Sequence, residues 1–324
     1  MTAAPLLRVR NLSKRFRGAD GGPVHALRSV GFEVGAGETL GIVGESGCGK
    51  TTLGRTLLRL IEPSDGEVWF ENENILTLDR RALLRRRRQL QMIFQDPFGS
   101  LNPRHKVGWI VGEPLAIHGL GNRRQIRDKV VETLALVGLE KGAQDRYPHE
   151  FSGGQRQRIA IARAIVLEPK LVIADEPVSA LDVSIQSQIL NLLRTLQRAL
   201  GLALVFISHD LAVVRHISDR VAVMYLGGIV ESAETDALFH APTHPYTQAL
   251  LSAAPRATTA GRRRRIILEG ELPDPAHPPA GCPFHPRCPQ ILDRCREEKP
   301  DLALRRIDGG DRRLACHLHP ATPA

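Results

Sequence analysis

Residues 39–60 read Thr39-Leu-Gly-Ile-Val43-Gly44-Glu-Ser-Gly-Cys-Gly-Lys50-Thr51-Thr52-Leu53-Gly-Arg-Thr-Leu57-Leu-Arg-Leu60, and they decide the fold. The run up to Val43 is apolar without polar alternation, as in a strand buried on both faces. From Thr52 to Ile61, Leu53, Leu57 and Leu60 recur at helical spacing and Pro63 closes the helix. Between strand and helix, Gly44 and Gly49 stand five apart and are followed by Lys50 and Thr51, the pattern of a phosphate-cradling loop. Glycines let the backbone curl until successive N–H groups face one anion, and the helix N-terminus adds roughly half a positive charge. An ordinary strand-to-helix turn has no need of Lys and Thr there. Gly44, Glu45, Ser46, Gly47, Cys48, Gly49, Lys50, Thr51 and Thr52 are therefore assigned to nucleotide phosphates. Lys50 reaches the terminal phosphates, Thr51 the magnesium, and Cys48 serves as a small loop residue.

A second stretch supplies the complement. Leu171-Val-Ile-Ala174 is an apolar strand ending in Asp175-Glu176, one carboxylate to hold magnesium and the next to polarise an attacking water. A helix follows from about Val183, with Ile185, Ile189, Leu192, Leu196 and Leu200 on one stripe and Gly201 as its stop; residues 204–207 form another buried strand. Strand and helix alternating in this way predict an α/β layer fold. Residues from about 97 to 160 lack β-rich runs and carry helical periodicity, which predicts a helical insert.

The 324 residues correspond to about two domains. With 42% apolar and 24% charged residues the chain reads as an ordinary packed protein. No run approaches the length of a membrane span and the N-terminus lacks a leader pattern, so neither a membrane crossing nor the secretory route is expected. The formal charge of +9 sits largely in two arginine runs, 85–88 and 262–265, without interleaved aromatics. These read as solvated faces, not as a nucleic-acid surface. After about residue 236 the composition shifts: ten of the 55 residues from 270 onward are Pro, and four of the five cysteines lie there. This predicts a short linker and a small, loop-rich tail.

Phe151-Ser-Gly-Gly-Gln155 opens another helix with a Gly-rich, N–H-rich turn, which reads as a second phosphate cradle. With the two motifs above it resembles the ABC ATPase family, over about residues 6–240. The resemblance implies a P-loop nucleotide-binding domain over 1–240, with a RecA-like core, an antiparallel β subdomain and the helical insert, and a C-terminal region over 241–324. It also implies that Phe16 stacks on adenine, that Gln95 is the lid glutamine and a magnesium contact beside Thr51 and Asp175, and that residues 179–182 contact a dimer partner. His209 becomes the switch histidine at the γ-phosphate, with Glu176 and Gln95 as its catalytic companions. Ser152, Gly153, Gly154 and Gln155 face the ATP of a second chain, so that two ATPs are sandwiched head to tail.

The run Met92-Ile-Phe-Gln-Asp-Pro-Phe-Gly-Ser-Leu-Asn-Pro-Arg104, with His244-Pro-Tyr-Thr-Gln-Ala-Leu-Leu251 and Gly281-Cys-Pro-Phe-His-Pro-Arg-Cys288, resembles the dipeptide/oligopeptide importer ATPases. That implies a subunit energising import of di- or oligopeptides, peripheral on the cytoplasmic face of the cell membrane. Its implied partners are a related ATPase chain (a heterodimer, with a homodimer as the alternative), two membrane permease subunits and, indirectly, an extracytoplasmic binding protein. Relatives serving nickel or another small solute leave that cargo as the alternative. A soluble ABC ATPase acting on nucleic acid is the rival class, but no coiled coil or second cassette supports it. Cys282, Cys288, Cys295 and Cys316 stand as C-x5-C-x6-C-x20-C. Disulfides are not expected in a cytosolic ATPase, and the spacing suits a 4Fe-4S cluster better than the close pairs of zinc ribbons. Zinc, with His285, His317 or His319 recruited, and unligated thiols remain the alternatives.

Overall fold

The structure, a computed structural model, describes residues 4–18, 21–253, 266–307 and 310–319; the arginine run 262–265 lies outside them. The chain opens with strands β1 (Leu7–Arg17), β2 (Pro23–Val34) and β3 (Thr39–Val43), then helix α1 (Lys50–Leu57). Strands β4 (Asp65–Phe70) and β5 (Glu73–Asn74), helix α2 (Arg80–Arg87) and strand β6 (Leu90–Ile93) follow. Next come four helices, α3 (Pro97–Ser100), α4 (Val107–Ile117), α5 (Arg123–Leu136) and α6 (Gly153–Ile165). Strand β7 (Leu171–Asp175), helix α7 (Val183–Leu200), strand β8 (Ala203–Ile207) and helix α8 (Leu211–Ile217) complete the alternation. The remainder is β9 (Arg220–Tyr225), β10 (Gly228–Glu234), α9 (Thr235–His240), α10 (Pro245–Ala253), α11 (Arg294–Glu297), β11 (Ala303–Ile307) and β12 (Gly310–Leu314).

Two units are discernible. The first comprises Met1–Leu6, Val34–Glu38 and Phe70–Ile207. In it β6, β7 and β8 pair in parallel, Ile93 opposite Ala174 and Asp175 opposite Ile207. Every residue of β7 and β8 is buried, as strands covered on both faces require. The crossover between β6 and β7 holds only helices, which is the insert read from residues 97–160. Along α7 the buried stripe is Ile189, Leu190, Leu193 and Leu196, so the predicted stripe holds at 189 and 196 only. Leu200, at 38% exposure, falls outside it because Gly201 turns left-handed and ends the helix there.

The second unit comprises Leu7–Glu33, Thr39–Trp69 and Ser208–Ala324. Strands β2, β1 and β4 lie in that order in one sheet, and the short turn between β1 and β2, closed by the Gly18 N–H donating to the Gly22 carbonyl, makes that pair antiparallel. Strand β3 pairs in parallel with β9, Val43 opposite Val223. Helix α1 is shorter than predicted, starting at Lys50 and ending at Leu57. Arg59 adopts φ 51° and the Leu60 N–H returns to the Arg55 carbonyl, so the chain turns away before Ile61.

The C-terminal tail is less loop-rich than its composition predicts. Strands β11 and β12 form a hairpin that continues the antiparallel pairing of β9 and β10, with Glu231 opposite Leu314. Apolar alternation is weak in these strands because the inward positions beside Leu314 are Arg305 and Arg312, which face each other across the hairpin. Arg305 Nε donates to the His319 carbonyl (2.8 Å), and Arg312 pairs with Glu231 (3.2 Å). Glu231, fully buried, also accepts the backbone N–H groups of Thr243 and His244. Burial lowers the pKa of His244 to about 3, so the ring is neutral at pH 7, and its Nδ1 accepts the Tyr246 N–H. A buried ion pair whose carboxylate also accepts two backbone N–H groups thus seats α10 and the hairpin on β10.

Candidate active site

The phosphate loop leaves the carboxyl end of β3, where ligands of open α/β sheets bind. Its glycines are dictated by close approach: a Cβ on Gly44 would lie 2.2 Å from the Met224 carbonyl oxygen, and one on Gly49, at φ 102°, 2.3 Å from that of Ala26. Lys50 is only 5% exposed. Its ammonium donates to the loop's own carbonyls, Gly44 at 2.8 Å and Glu45 at 2.9 Å. These contacts hold a desolvated cation beside the curl of N–H groups, as a phosphate site needs. Burial raises the Cys48 thiol pKa against the opposing charge of Lys50, so it is a poor nucleophile, consistent with a packing role.

The loop is also held from residues far along the chain. Arg287 grips Glu45 with a two-pronged ion pair (2.8 and 3.1 Å), and the Glu45 N–H donates to the Tyr246 hydroxyl (3.0 Å). The bond to Glu45 pushes the Arg287 guanidinium further above its ordinary range. Phe284 packs edge-on to Tyr225, and both touch Tyr246, at centroid distances of 4.7 to 5.5 Å. Arg287 is 8% exposed, so this pair is worth more than a surface bridge. Arg287→Ala is expected to raise the KM for ATP about 5- to 20-fold, the loss of roughly 1–2 kcal/mol, with kcat nearly unchanged. Steady-state ATPase kinetics check it.

The acidic half belongs to the first unit. Asp175, 1% exposed, ends β7, and Glu176 follows at φ 45° with its N–H donating to the Ile207 carbonyl. This kink turns the Glu176 side chain off the strand, and Gln95 Nε2 donates to its Oε2 at 3.0 Å. Gln95 and Glu176 stand 81 residues apart in the chain and meet because β6 and β7 are parallel neighbours in register. On α6, Ser152 and Gln155 form a reciprocal cap: Ser152 Oγ accepts the Gln155 N–H, and Gln155 Oε1 accepts the Ser152 N–H at 3.0 Å. The cap leaves Gly153 and Gly154 in the first turn of a 13-residue helix, with N–H groups pointing out of its positive end.

Phe16 is 40% exposed near the end of β1, with the Lys14 ammonium 4.9 Å from its ring centroid, and His209 is exposed between Ser208 and the Asp210 cap of α8. Of the four tail cysteines, Cys282, Cys295 and Cys316 are buried and Cys288 is half-buried. Burial first, then the neighbouring thiols, push Cys282 and Cys316 up to about 11. The N–H groups of Phe284 and His285 act on the Cys282 sulfur, that of Gln290 on Cys288 and that of Leu318 on Cys316, each lowering its pKa. Among the described residues, however, no group of three or more His, Cys, Asp or Glu side chains is set to hold a metal ion.

Sequence reading missed Arg287 and Tyr246 as supports of the phosphate loop. Both lie inside quoted motifs, but nothing local in a sequence signals a contact spanning 242 or 201 residues.

Comparison with known proteins adds the following. Residues 27–179 match the family described as ABC transporter, and residues 230–295 match oligopeptide/dipeptide transporter, C-terminal region. The chain is 55% identical over 302 residues to "Probable peptide ABC transporter ATP-binding protein y4tS" of Sinorhizobium fredii, covering 93% of this chain and 85% of that one. It is 50% identical over 331 residues to "Oligopeptide transport ATP-binding protein AppF" of Bacillus subtilis, covering 98% of this chain and all of the other. Among solved structures, the dimeric post-hydrolysis state of the ATP-binding cassette MJ0796 bound to ADP and Pi has a TM-score of 0.64 at 30% identity, over 71% of this chain and 98% of that one. CbiO1 from Clostridium perfringens, part of the complex cbiONQ, has a TM-score of 0.65 at 31% identity, over 74% and 92%.

Proposed function

We propose, from the premise that the chain belongs to the ABC transporter family of ATPases, that it energises the import of di- or oligopeptides. The observation that carries this reading is likeness to peptide and oligopeptide transport ATPases through both the nucleotide-binding part and the C-terminal region. We assign the ATPase domain to 1–240 and the C-terminal region to 241–324.

In hydrolysis, Lys50 exchanges the carbonyls of Gly44 and Glu45 for the terminal phosphates. Phe16 stacks on the adenine, and His209 senses the γ-phosphate. Thr51, Asp175 and Gln95 would hold Mg2+, which would supply positive charge against that developing on the phosphates. Glu176, oriented by Gln95, takes the proton of the attacking water as its oxygen bonds to the γ-phosphorus and the bond to the β–γ bridging oxygen breaks, leaving ADP and phosphate. Ser152, Gly153, Gly154 and Gln155 of a second chain close over that phosphate, so ATP draws two chains together and hydrolysis releases them. The second chain is a related ATPase, with a homodimer as the alternative outcome.

The helical insert is where we place the two permease subunits. A groove of about 550 Å³ lies there between α4 and α5, lined by Gly112, Ala116, Ile126 and Val130, with Trp109 exposed at its side. It suits a short apolar helix. No helix among the described residues is long and apolar enough to cross a membrane. We place the chain peripherally on the cytoplasmic face, with an extracytoplasmic binding protein delivering the cargo. Cells lacking this chain should fail to accumulate labelled oligopeptides while taking up nickel normally; loss of nickel uptake with peptide uptake intact would overturn the peptide reading.

We further propose that Cys282, Cys288, Cys295 and Cys316 hold a 4Fe-4S cluster, with zinc as the alternative. Support comes from four thiols within electrostatic reach of one another and from backbone N–H groups two residues on acting on three of the sulfurs, the kind of bond that tunes cluster ligands. Protein purified without oxygen should carry about four irons and matching sulfide per chain. Zinc in their place selects the alternative, and neither metal overturns both.

A further inference from the structure

A cavity of about 400 Å³ in the second unit lies against β1, β2, β10 and the C-terminal segment, away from the phosphate loop: none of residues 44–52 lines it. Its charge is one-sided. Arg10, Arg28, Lys299 and Arg313 line it, against Asp301 as the one acidic residue. Arg28 Nη1 is shut off from solvent and has no hydrogen-bond partner among the described residues. A buried guanidinium nitrogen left unpaired is costly unless something arrives to accept from it. Burial lowers the pKa of both Arg28 and Lys299, and the charge of Arg28 lowers that of Lys299 further against the opposing pull of Asp301, so two like charges are held together here. The remaining wall is apolar, with Val9, Phe284, Pro300 and Leu302. Asn11 (φ 48°) and Ser29 (φ 51°), on adjacent strands, also line it, both in the left-handed region, a strain that recurs where ligands are clamped.

We propose that this cavity is a second ligand site, taking a phosphate-bearing small molecule of up to mononucleotide size. Its phosphate is bound by Arg28 and Lys299, with Arg10 and Arg313 at the rim, and its body lies against Phe284 and Leu302. Three arginines and a lysine against one aspartate favour a multiply charged anion over a single carboxylate, and guanidinium forks match phosphate oxygens in pairs. Of the four tail cysteines, Cys282 alone lines the cavity, so the site borders the proposed cluster at that residue and shares none of the other three.

The test is calorimetric titration of the full chain carrying Lys50→Ala, which weakens the phosphate loop, with sodium pyrophosphate and, separately, with uridine 5′-monophosphate. Saturable binding of at least one of them, near one per chain, is expected, weakened about tenfold or more when Arg28→Gln and Lys299→Gln are added. Tighter binding of the mononucleotide assigns the apolar wall to a base or sugar; tighter binding of pyrophosphate assigns the site to the phosphate group itself. Absence of saturable binding of either probe, or binding unchanged in the double glutamine variant, overturns the proposal. Should that variant fail to fold, amine labelling of Lys299 in the Lys50→Ala chain decides. Protection of Lys299 by saturating pyrophosphate or mononucleotide, read by mass spectrometry, supports the site, and equal labelling with and without them overturns it.

Discussion

Glu176→Gln is expected to lower ATP turnover by about 10²- to 10⁴-fold, the range a positioned general base contributes, while ATP binding survives. The amide is nearly isosteric with the carboxylate and can still accept from Gln95 Nε2, whose bond to Glu176 Oε2 is 3.0 Å. What disappears is a group able to take the proton of the attacking water. The variant should therefore trap the ATP-bound dimer, visible on size-exclusion chromatography with Mg-ATP as co-elution with the related ATPase chain, or as a doubled mass of this chain alone in the homodimer alternative. Wild-type turnover in Glu176→Gln would remove this residue from the mechanism and with it the reading of the Asp175-Glu176 pair.

Lys50→Ala is expected to weaken ATP binding by about 10- to 100-fold, from the loss of one or more charge-assisted contacts of roughly 1.5–3 kcal/mol. The structure sharpens this expectation. Lys50 is held ready by the carbonyls of Gly44 and Glu45, so phosphate replaces existing partners and the side chain needs little reordering. Truncation leaves both carbonyls facing the phosphates with no cation between them, and a repulsion is added to the lost attraction. Fluorescent ATP-analogue titration measures it; affinity within twofold of wild type would mean that the backbone curl alone binds the nucleotide. Set beside the smaller effect expected for Arg287→Ala, the pair separates direct contact with phosphate from support of the loop that makes it.

Much of the site was legible because each motif is local. A strand, a glycine turn and a helix within some twenty residues place Lys50 and Thr51 whatever surrounds them, since the backbone geometry of that turn is set by its own glycines. The same holds for the Ser152 cap on α6, where donor and acceptor are three residues apart. Helix α7 was legible in existence and in its Gly201 stop, less so in its buried face, because which of two adjacent stripes packs inward depends on the sheet beneath it. The β11–β12 hairpin was not legible at all. Its inward residues beside Leu314 are Arg305 and Arg312, and strands with charged residues at buried positions carry little apolar alternation to read.

By itself, then, the sequence determined the chemistry: a phosphate loop, a carboxylate pair after a buried strand, a capped glycine turn and four clustered cysteines, each a short-range pattern of residue types. Only the tertiary structure decided that Gln95 meets Glu176, that Arg287 and Tyr246 brace Glu45, that Glu231 lies buried between Arg312 and His244, and that Arg28 and Lys299 share a cavity. The physical reason is one of range. A turn or a cap is fixed by the few dihedrals within it, whereas a hydrogen bond between residues 81 or 242 positions apart exists only once strand pairing has closed the loops between them, and that pairing is set by the burial of the whole sheet.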